Sequence, residues 1–365
     1  MARSGCKVKV LITGVCGYVG ARLATRFIES LSGVEVFGID NLTRRGVETN
    51  IKPLHKLGVR FIHGDIRMAS DIRALPEVDW VVDCAANPTV TAGTDTLGNS
   101  TPEQLVEHNL IGTTHILEYC RVVKAGLVLL STSRVYAVRA LLRIPLRETP
   151  TRFEPVFPIP DLPGFSERGV SEEFPTTTPV SLYGATKRAS ELLALEYGDA
   201  FGFPVWVNRC SVIGGPGQFG KIDQGIFAYW IYSFALKHRL SYIGWDGTGK
   251  QVRDCVIADD IADLVMRQMK DPERDVRRVI NIGGGLEGSL SLREMTKLCT
   301  DCFGYQLDIV SIKETRPYDI PYYITDTSLA QQSWGWRPSH TAEEIVRLLC
   351  EWSLNNIDFV RGLME

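Results

Sequence analysis

Thr13-Gly14-Val15-Cys16-Gly17-Tyr18-Val19-Gly20 decides the fold. It follows the apolar run Val8–Ile12 and opens an amphipathic segment, Tyr18–Ser30, so it reads as the turn between a strand and a helix. Glycines at 14, 17 and 20 are spaced three apart. Such glycines permit a tight turn, close approach of backbone to a pyrophosphate, and close packing of helix on strand. The free N–H groups at the helix start then face the phosphates.

Further short apolar runs follow at Val34–Ile39, Val59–Ile62, Trp80–Cys84, Leu127–Leu130 and Val205–Asn208. Their near-continuous hydrophobicity suits strands buried on both faces. Helical periodicity fills the gaps at Tyr18–Ser30, Pro102–Val123 and Leu182–Phe201. Alternating βα units of this kind predict an α/β fold with a Rossmann-like, doubly wound parallel sheet. After Asn208 the pattern changes to a glycine-rich loop, Gly214–Gly220, and helices at Gly225–His238, Ile261–Lys270, Leu292–Cys302 and Ala342–Ser353, with a short strand at Leu240–Ile243. A smaller C-terminal α+β lobe is expected. The division is 1–210 for the sheet domain and 211–365 for the lobe, with about 252–283 returning to the sheet domain. The proline-dense stretch Arg139–Pro179 is expected to be a long loop or lid.

Composition narrows the function classes. Apolar residues at 44 % supply a core, and 23 % charged residues are ordinary for a globular chain. A formal charge of −3 gives no basic field, so nucleic acid is not expected as a partner. Met1 to Lys7 does not resemble a signal peptide, and no apolar run is long enough to span a bilayer. A soluble, cytoplasmic protein is expected, with no membrane partner. The nine cysteines are scattered, and they are taken as reduced thiols with no metal site.

The second strand runs into Asp40, whose carboxylate is placed to hold the adenosine ribose hydroxyls. That favours NAD over NADP, although Arg44 and Arg45 follow closely and could meet a 2′-phosphate. Asp65-Ile66, beyond the third strand, would flank an adenine; Asp65 serves equally well as a turn or cap residue. Tyr183-Gly184-Ala185-Thr186-Lys187 puts a phenol and an ammonium on one helix face. A phenol has a pKa near 10, so a tyrosine base working near neutrality must be lowered by about 3 units, about 4 kcal/mol. The fifth strand ends in Ser131-Thr132-Ser133-Arg134, and a hydroxyl at that strand end faces the ligand crevice.

Together these motifs resemble the extended short-chain dehydrogenases, within the NAD-dependent epimerase/dehydratases. Asp40-Asn41-Leu42-Thr43-Arg44-Arg45-Gly46, Phe61–Arg67, Asp223-Gln224-Gly225, Gly249–Asp254 and Asn281–Gly285 are most similar to the CDP-paratose (CDP-tyvelose) 2-epimerase branch. The resemblance implies Thr132, Tyr183 and Lys187 as the catalytic set. It implies a cofactor site of Gly14, Gly17, Tyr18, Val19, Gly20, Asp40, Asn41, Leu42, Arg45, Asp65, Ile66, Ala85, Ala86, Asn87, Asn109, Tyr183 and Lys187. For a nucleotide-diphosphate sugar it implies Asn87, Thr132, Ser133, Gln218, Gln224, Arg253 and Arg316, the two arginines clamping the diphosphate. The expected chemistry is transient oxidation of a sugar carbon, C2 in the resembling branch. A homodimer or homotetramer is implied, through helices matching Pro102–Val123 and Leu182–Phe201.

Two departures bear on the sugar. The branch's Thr-Asn-Lys stands here as Thr132-Ser133-Arg134, and its Gly-Pro-Arg-Gln as Gly215-Pro216-Gly217-Gln218. The acidic pair of the 4,6-dehydratases is replaced by Ser133 and Arg134, which removes the proton donor for loss of water from C6. Rival readings are a 4-epimerase, a net oxidoreductase on the same scaffold, and a non-catalytic NAD sensor.

Overall fold

Seven runs of aliphatic and β-branched residues form one parallel sheet at the centre of the molecule. In the computed structural model, which describes residues 7–92, 100–159, 161–220 and 225–364, they are β1 (Lys9–Thr13), β2 (Glu35–Asp40), β3 (Arg60–His63), β4 (Trp80–Asp83), β5 (Gly126–Thr132), β6 (Val205–Cys210) and β7 (Val279–Ile282). Their spatial order is 3-2-1-4-5-6-7. Chain direction along the sheet therefore reverses beside β1, between β1 and β4, the place where open α/β sheets bind ligands.

Side chains alternate between the two faces, and both faces are covered. Val10, Ile12, Val82, Val128 and Trp206 pack under α1 (Tyr18–Ser30), while Leu11, Val81, Leu127, Leu129 and Val207 pack under α2 (Gly112–Val123) and α3 (Ser181–Phe201). Leu11, Ile12, Val81 and Val82 are wholly buried, each worth about 1.5–3 kcal/mol of transfer free energy. The six strands expected from sequence are present within two or three residues of their ends. β7 is the addition; it is only four residues long and joins the edge of the sheet after the chain has left for the second lobe.

That lobe holds α4 (Ile226–Ala235), α6 (Leu292–Phe303), α7 (Ala342–Asn355) and α8 (Ile357–Met364), packed over a small sheet of Val212–Ile213, Val252–Val256, Ser289–Ser291 and Tyr322–Tyr323. Between them α5 (Ala258–Lys270) packs on α1 and leads to β7. The segment returning to the large sheet thus starts at Ala258 rather than near 252, because Val252–Val256 pairs within the small sheet.

The proline-dense stretch is more ordered than its composition suggests. It carries two short antiparallel pairs, Leu146–Glu148 with Phe153–Pro155 and Phe165–Ser166 with Gly169–Val170. It is strapped down by partners distant in sequence: Val170 N–H donates to the Ile324 carbonyl at 2.8 Å, Asn281 N–H donates to Glu172 at 2.7 Å, and Arg152 pairs with Glu294 at 2.9 Å. No helix among the described residues is long and apolar enough to cross a membrane.

Candidate functional site

The glycine turn has the geometry its spacing predicts. Gly14 sits at φ +62°, and a Cβ there would stand 3.1 Å from the Ala85 backbone. A Cβ on Gly20 would fall 2.4 Å from the Gly14 carbonyl, so α1 can start this close to β1 only with glycine at that position. Tyr18 and Val19 occupy the first turn of α1. The Tyr18 hydroxyl reaches Gly215 of the second lobe, where a Cβ would lie 2.2 Å from it.

Asp40 ends β2 and accepts from Cys16 N–H at 2.9 Å and Leu42 N–H at 2.8 Å. Its carboxylate is thereby fixed at the carboxyl edge of the sheet, beside the glycine turn. Asn41 donates to Asp65 at 3.0 Å. Burial alone would raise the Asp65 carboxyl, but hydrogen bonds from Arg67 and Asn41 outweigh it and hold the group well below the usual carboxylate range. Ile66 is buried against Gly112. The two arginines that could meet a 2′-phosphate contact their own chain instead. Arg44 donates to the Phe219 carbonyl, and Arg45 donates to Gly362 at 3.3 Å. The turn and the carboxylate at the end of β2 suit an NAD.

Beyond β4 the loop Ala85-Ala86-Asn87 borders the same crevice. Asn109 stands behind it, in a π-helical turn at Glu107–Ile111. It is fully buried and holds the Asn87 backbone on both sides, accepting from its N–H at 2.7 Å and donating to its carbonyl at 3.0 Å. Its amide is therefore committed to shaping the loop rather than facing a ligand.

Thr132, at the end of β5, and Tyr183, in the first turn of α3, come together closely enough for the Thr132 hydroxyl to act on the phenol. Burial pushes the Tyr183 phenol up to about 12, against the lowering effect of Thr132 and of the Arg134 charge. Lys187, one turn on, is 2 % exposed, and burial pulls its ammonium down while Asp83 and Glu191 support it.

A cavity next to the turn after β5 is lined by Ser133, Arg134, Arg253, Tyr318 and Tyr323 among others. Arg253 reaches it from the small sheet, bonded to Asp319 at 3.0 Å and to the Ile320 carbonyl. Burial lowers its guanidinium to about 10, with Asp319 opposing. The second expected clamp residue, Arg316, lies on the same turn as Tyr318 but is exposed and does not line the cavity. Gln218 is buried, donates to the Ile213 carbonyl at 2.7 Å, and has no partner for its Oε1 among the described residues. Gln224 falls outside the described residues. Sequence reasoning missed Asp319 and Tyr318, which matter only because the fold folds their turn over Arg253.

Asp254, next to Arg253, is wholly buried; it accepts from Gly285 N–H at 3.2 Å, and its Oδ1 has no hydrogen-bond partner among the described residues. Burial raises its carboxyl to about 6, against hydrogen bonds that lower it. An acid raised on folding contributes stability below its unfolded value, lost as pH rises through its folded one. Asp254→Asn is therefore expected to stabilise the protein by up to about 2–3 kcal/mol near pH 8 and by almost nothing near pH 4, read by urea midpoints at both.

The chain is similar to known proteins along nearly its whole length. Residues 10–283 match the model of the NAD dependent epimerase/dehydratase family. A CDP-paratose 2-epimerase from Salmonella typhi is 30 % identical over 95 % of this chain and 99 % of its own. A UDP-glucuronate 4-epimerase from Thermodesulfobacterium geofontis is 28 % identical over 97 % and 98 %. In fold, the chain resembles the UDP-glucuronic acid 4-epimerase of Bacillus cereus, solved with UDP-glucuronic acid and NAD, at a TM-score of 0.74 and 23 % identity over 98 % of this chain and all of that one. With a family model spanning most of its length and the glycine turn, Asp40 and the Tyr183 helix in place, the chain belongs to the NAD-dependent epimerase/dehydratase family.

Proposed function

We propose that this protein epimerises the sugar of a nucleotide-diphosphate sugar, acting at C2 of a CDP-linked deoxyhexose. The observation that carries epimerisation is the Thr132–Tyr183 hydroxyl pair at the crevice, with Ser133 and Arg134 rather than acids after it. The similarity to a CDP-paratose 2-epimerase over 95 % of the chain supports the finer reading. NAD held at the Gly14–Gly20 turn and Asp40 would supply the hydride acceptor and donor for the sugar carbon. Tyr183 removes the hydroxyl proton as a general base and gives it back, and Thr132 donates a hydrogen bond to the oxygen. Lys187, on the same helix face, holds the cofactor ribose. With no acid at 133 or 134, loss of water from C6 has no proton donor.

Arg253 binds the diphosphate, since a planar guanidinium suits phosphate oxygens. Arg253→Ala is expected to weaken CDP binding by about 1.5–3 kcal/mol, with Arg253→Lys recovering part. Arg316→Ala, on the exposed turn, should lose less. NAD affinity should be unchanged in all three, because the cofactor phosphates sit at Gly14–Gly20. Calorimetry with CDP and with NAD decides it, and unchanged CDP binding in Arg253→Ala removes the clamp.

The outer faces of Pro102–Val123 and α3 leave Val106, Ile111, Leu182, Leu192 and Leu193 exposed, which supports a homodimer through these helices. A thermal-shift screen of CDP-, UDP-, GDP- and dTDP-sugars tests the substrate, since a tight ligand raises the midpoint by mass action. Selective stabilisation by a CDP-sugar is expected; stabilisation by UDP-sugars alone would favour 4-epimerisation.

A further inference from the structure

We propose that Arg134 is the second guanidinium on the substrate's diphosphate, working beside Arg253 in the place expected of Arg316. The proposal rests on the reading of the substrate as a nucleotide-diphosphate sugar. Its geometry begins with the backbone of the turn after β5, which is fixed on two sides. Arg134 N–H donates to Thr132 Oγ1 at 3.2 Å, and its carbonyl lies against Gly184 of α3, where a Cβ would stand only 2.2 Å from it. With its backbone held there, Arg134 lines the same cavity as Arg253.

Both arginines end on one short turn. Asp319 N–H donates to the Arg316 carbonyl at 3.2 Å, and Tyr318 inside that turn sits at φ +61°, in the left-handed region. Arg134 Nη1 donates to the Tyr318 carbonyl at 3.3 Å. Arg253 Nη2 donates to Asp319 Oδ1 at 3.0 Å and to the Ile320 carbonyl at 2.6 Å. Three consecutive residues therefore hold the two guanidinia close together, as the two linked phosphoryl groups of a diphosphate require. Arg316 opens the same turn but is exposed and does not line the cavity.

Charge is out of balance at this wall of the cavity. Asp319 is the carboxylate paired with Arg253, and its other oxygen accepts from the Trp245 indole at 3.2 Å. Among the described residues Arg134 pairs with no carboxylate, and its side chain makes the single hydrogen bond to Tyr318. Much of the remaining wall is apolar, from Val138, Leu141, Val180 and Ile320. A guanidinium without a counter-charge in such surroundings is costly, and an arriving anion offsets the cost. Burial lowers the Arg253 guanidinium, Asp319 opposes it, and the Arg134 charge adds to the lowering, so the two cations act on each other. A diphosphate between them carries charge enough for both, and each planar fork can meet two phosphate oxygens.

The test is calorimetry of NAD-loaded protein with CDP, UDP, GDP and dTDP, then of the variants with whichever binds tightest. Arg134→Gln is expected to weaken that nucleotide about ten- to a hundredfold, with Arg134→Lys restoring part of it. Arg316→Ala should lose less than Arg134→Gln. The same fold-loss should appear with the matching nucleotide sugar, because the contact is to phosphate. NAD binding should be unchanged in every variant, which separates a lost ligand contact from a general loosening of the turn after β5. Arg134→Met repeats the measurement should the glutamine variant fail to fold. Unaltered nucleotide binding in the neutral variants overturns the proposal. So does a loss confined to the nucleotide sugar, which would put Arg134 on the sugar instead. A wild-type protein that binds none of the four nucleotides is a different failure, that of the substrate reading itself.

Discussion

Tyr183→Phe is expected to lower turnover by about a hundred- to ten-thousand-fold while leaving NAD binding nearly intact. The substitution removes one oxygen and keeps the ring that packs on Ala92 and Leu105. The hydroxyl it removes is the one that Thr132 acts on at the end of β5, where the proposed proton transfer takes place. Because burial pushes the phenol up to about 12 in the protein alone, activity also depends on positive charge near it, which an oxidised nicotinamide would supply when NAD binds. Turnover should therefore fall on the acid side as that phenol protonates, and this limb should vanish with Tyr183→Phe. Lys187→Met is a different case. It should weaken NAD binding as well as turnover. A phenylalanine variant that keeps most of its activity would mean that another group takes the proton.

Glu191→Ala is expected to cost about 3–5 kcal/mol of stability, a large share of what a domain has to lose. Glu191 is wholly buried in α3 and accepts from Arg209 at 2.8 and 3.0 Å, from Ser131 at 2.5 Å and from Arg188 at 2.9 Å. Arg209, in β6, is 4 % exposed, so removing the carboxylate strands a guanidinium in the interior. The same group fixes α3, and with it Tyr183 and Lys187, against β5 and β6. Denaturant midpoints measure the loss directly. A cost below about 1 kcal/mol would show that the pair is replaceable and that α3 is held by packing alone.

Much of this was legible before any coordinates. The glycine turn, Asp40, Thr132, Tyr183 and Lys187 sit in local patterns whose spacing carries their chemistry, and the first six strands are continuous apolar runs. What escaped was set by distant partners. β7 is four residues long, and only its pairing with β6 makes it part of the sheet. Prolines in 139–179 spoke for irregularity, yet Arg152, Val170 and Glu172 find partners more than a hundred residues later that order the segment. Arg253 and Arg316 look alike in sequence, but the Asp319 turn draws one into the cavity and leaves the other in solvent.

A cofactor that cycles without net change can be tested directly by one measurement. Protein purified without added cofactor is incubated with the nucleotide sugar that stabilises it, while NMR follows the sugar and absorbance follows reduced nicotinamide. Many turnovers to a sugar inverted at a single carbon are predicted, with reduced nicotinamide never exceeding one equivalent per site. An oxidised sugar formed only when NAD is supplied, with reduced cofactor rising in step, would contradict the account and make the protein a net oxidoreductase.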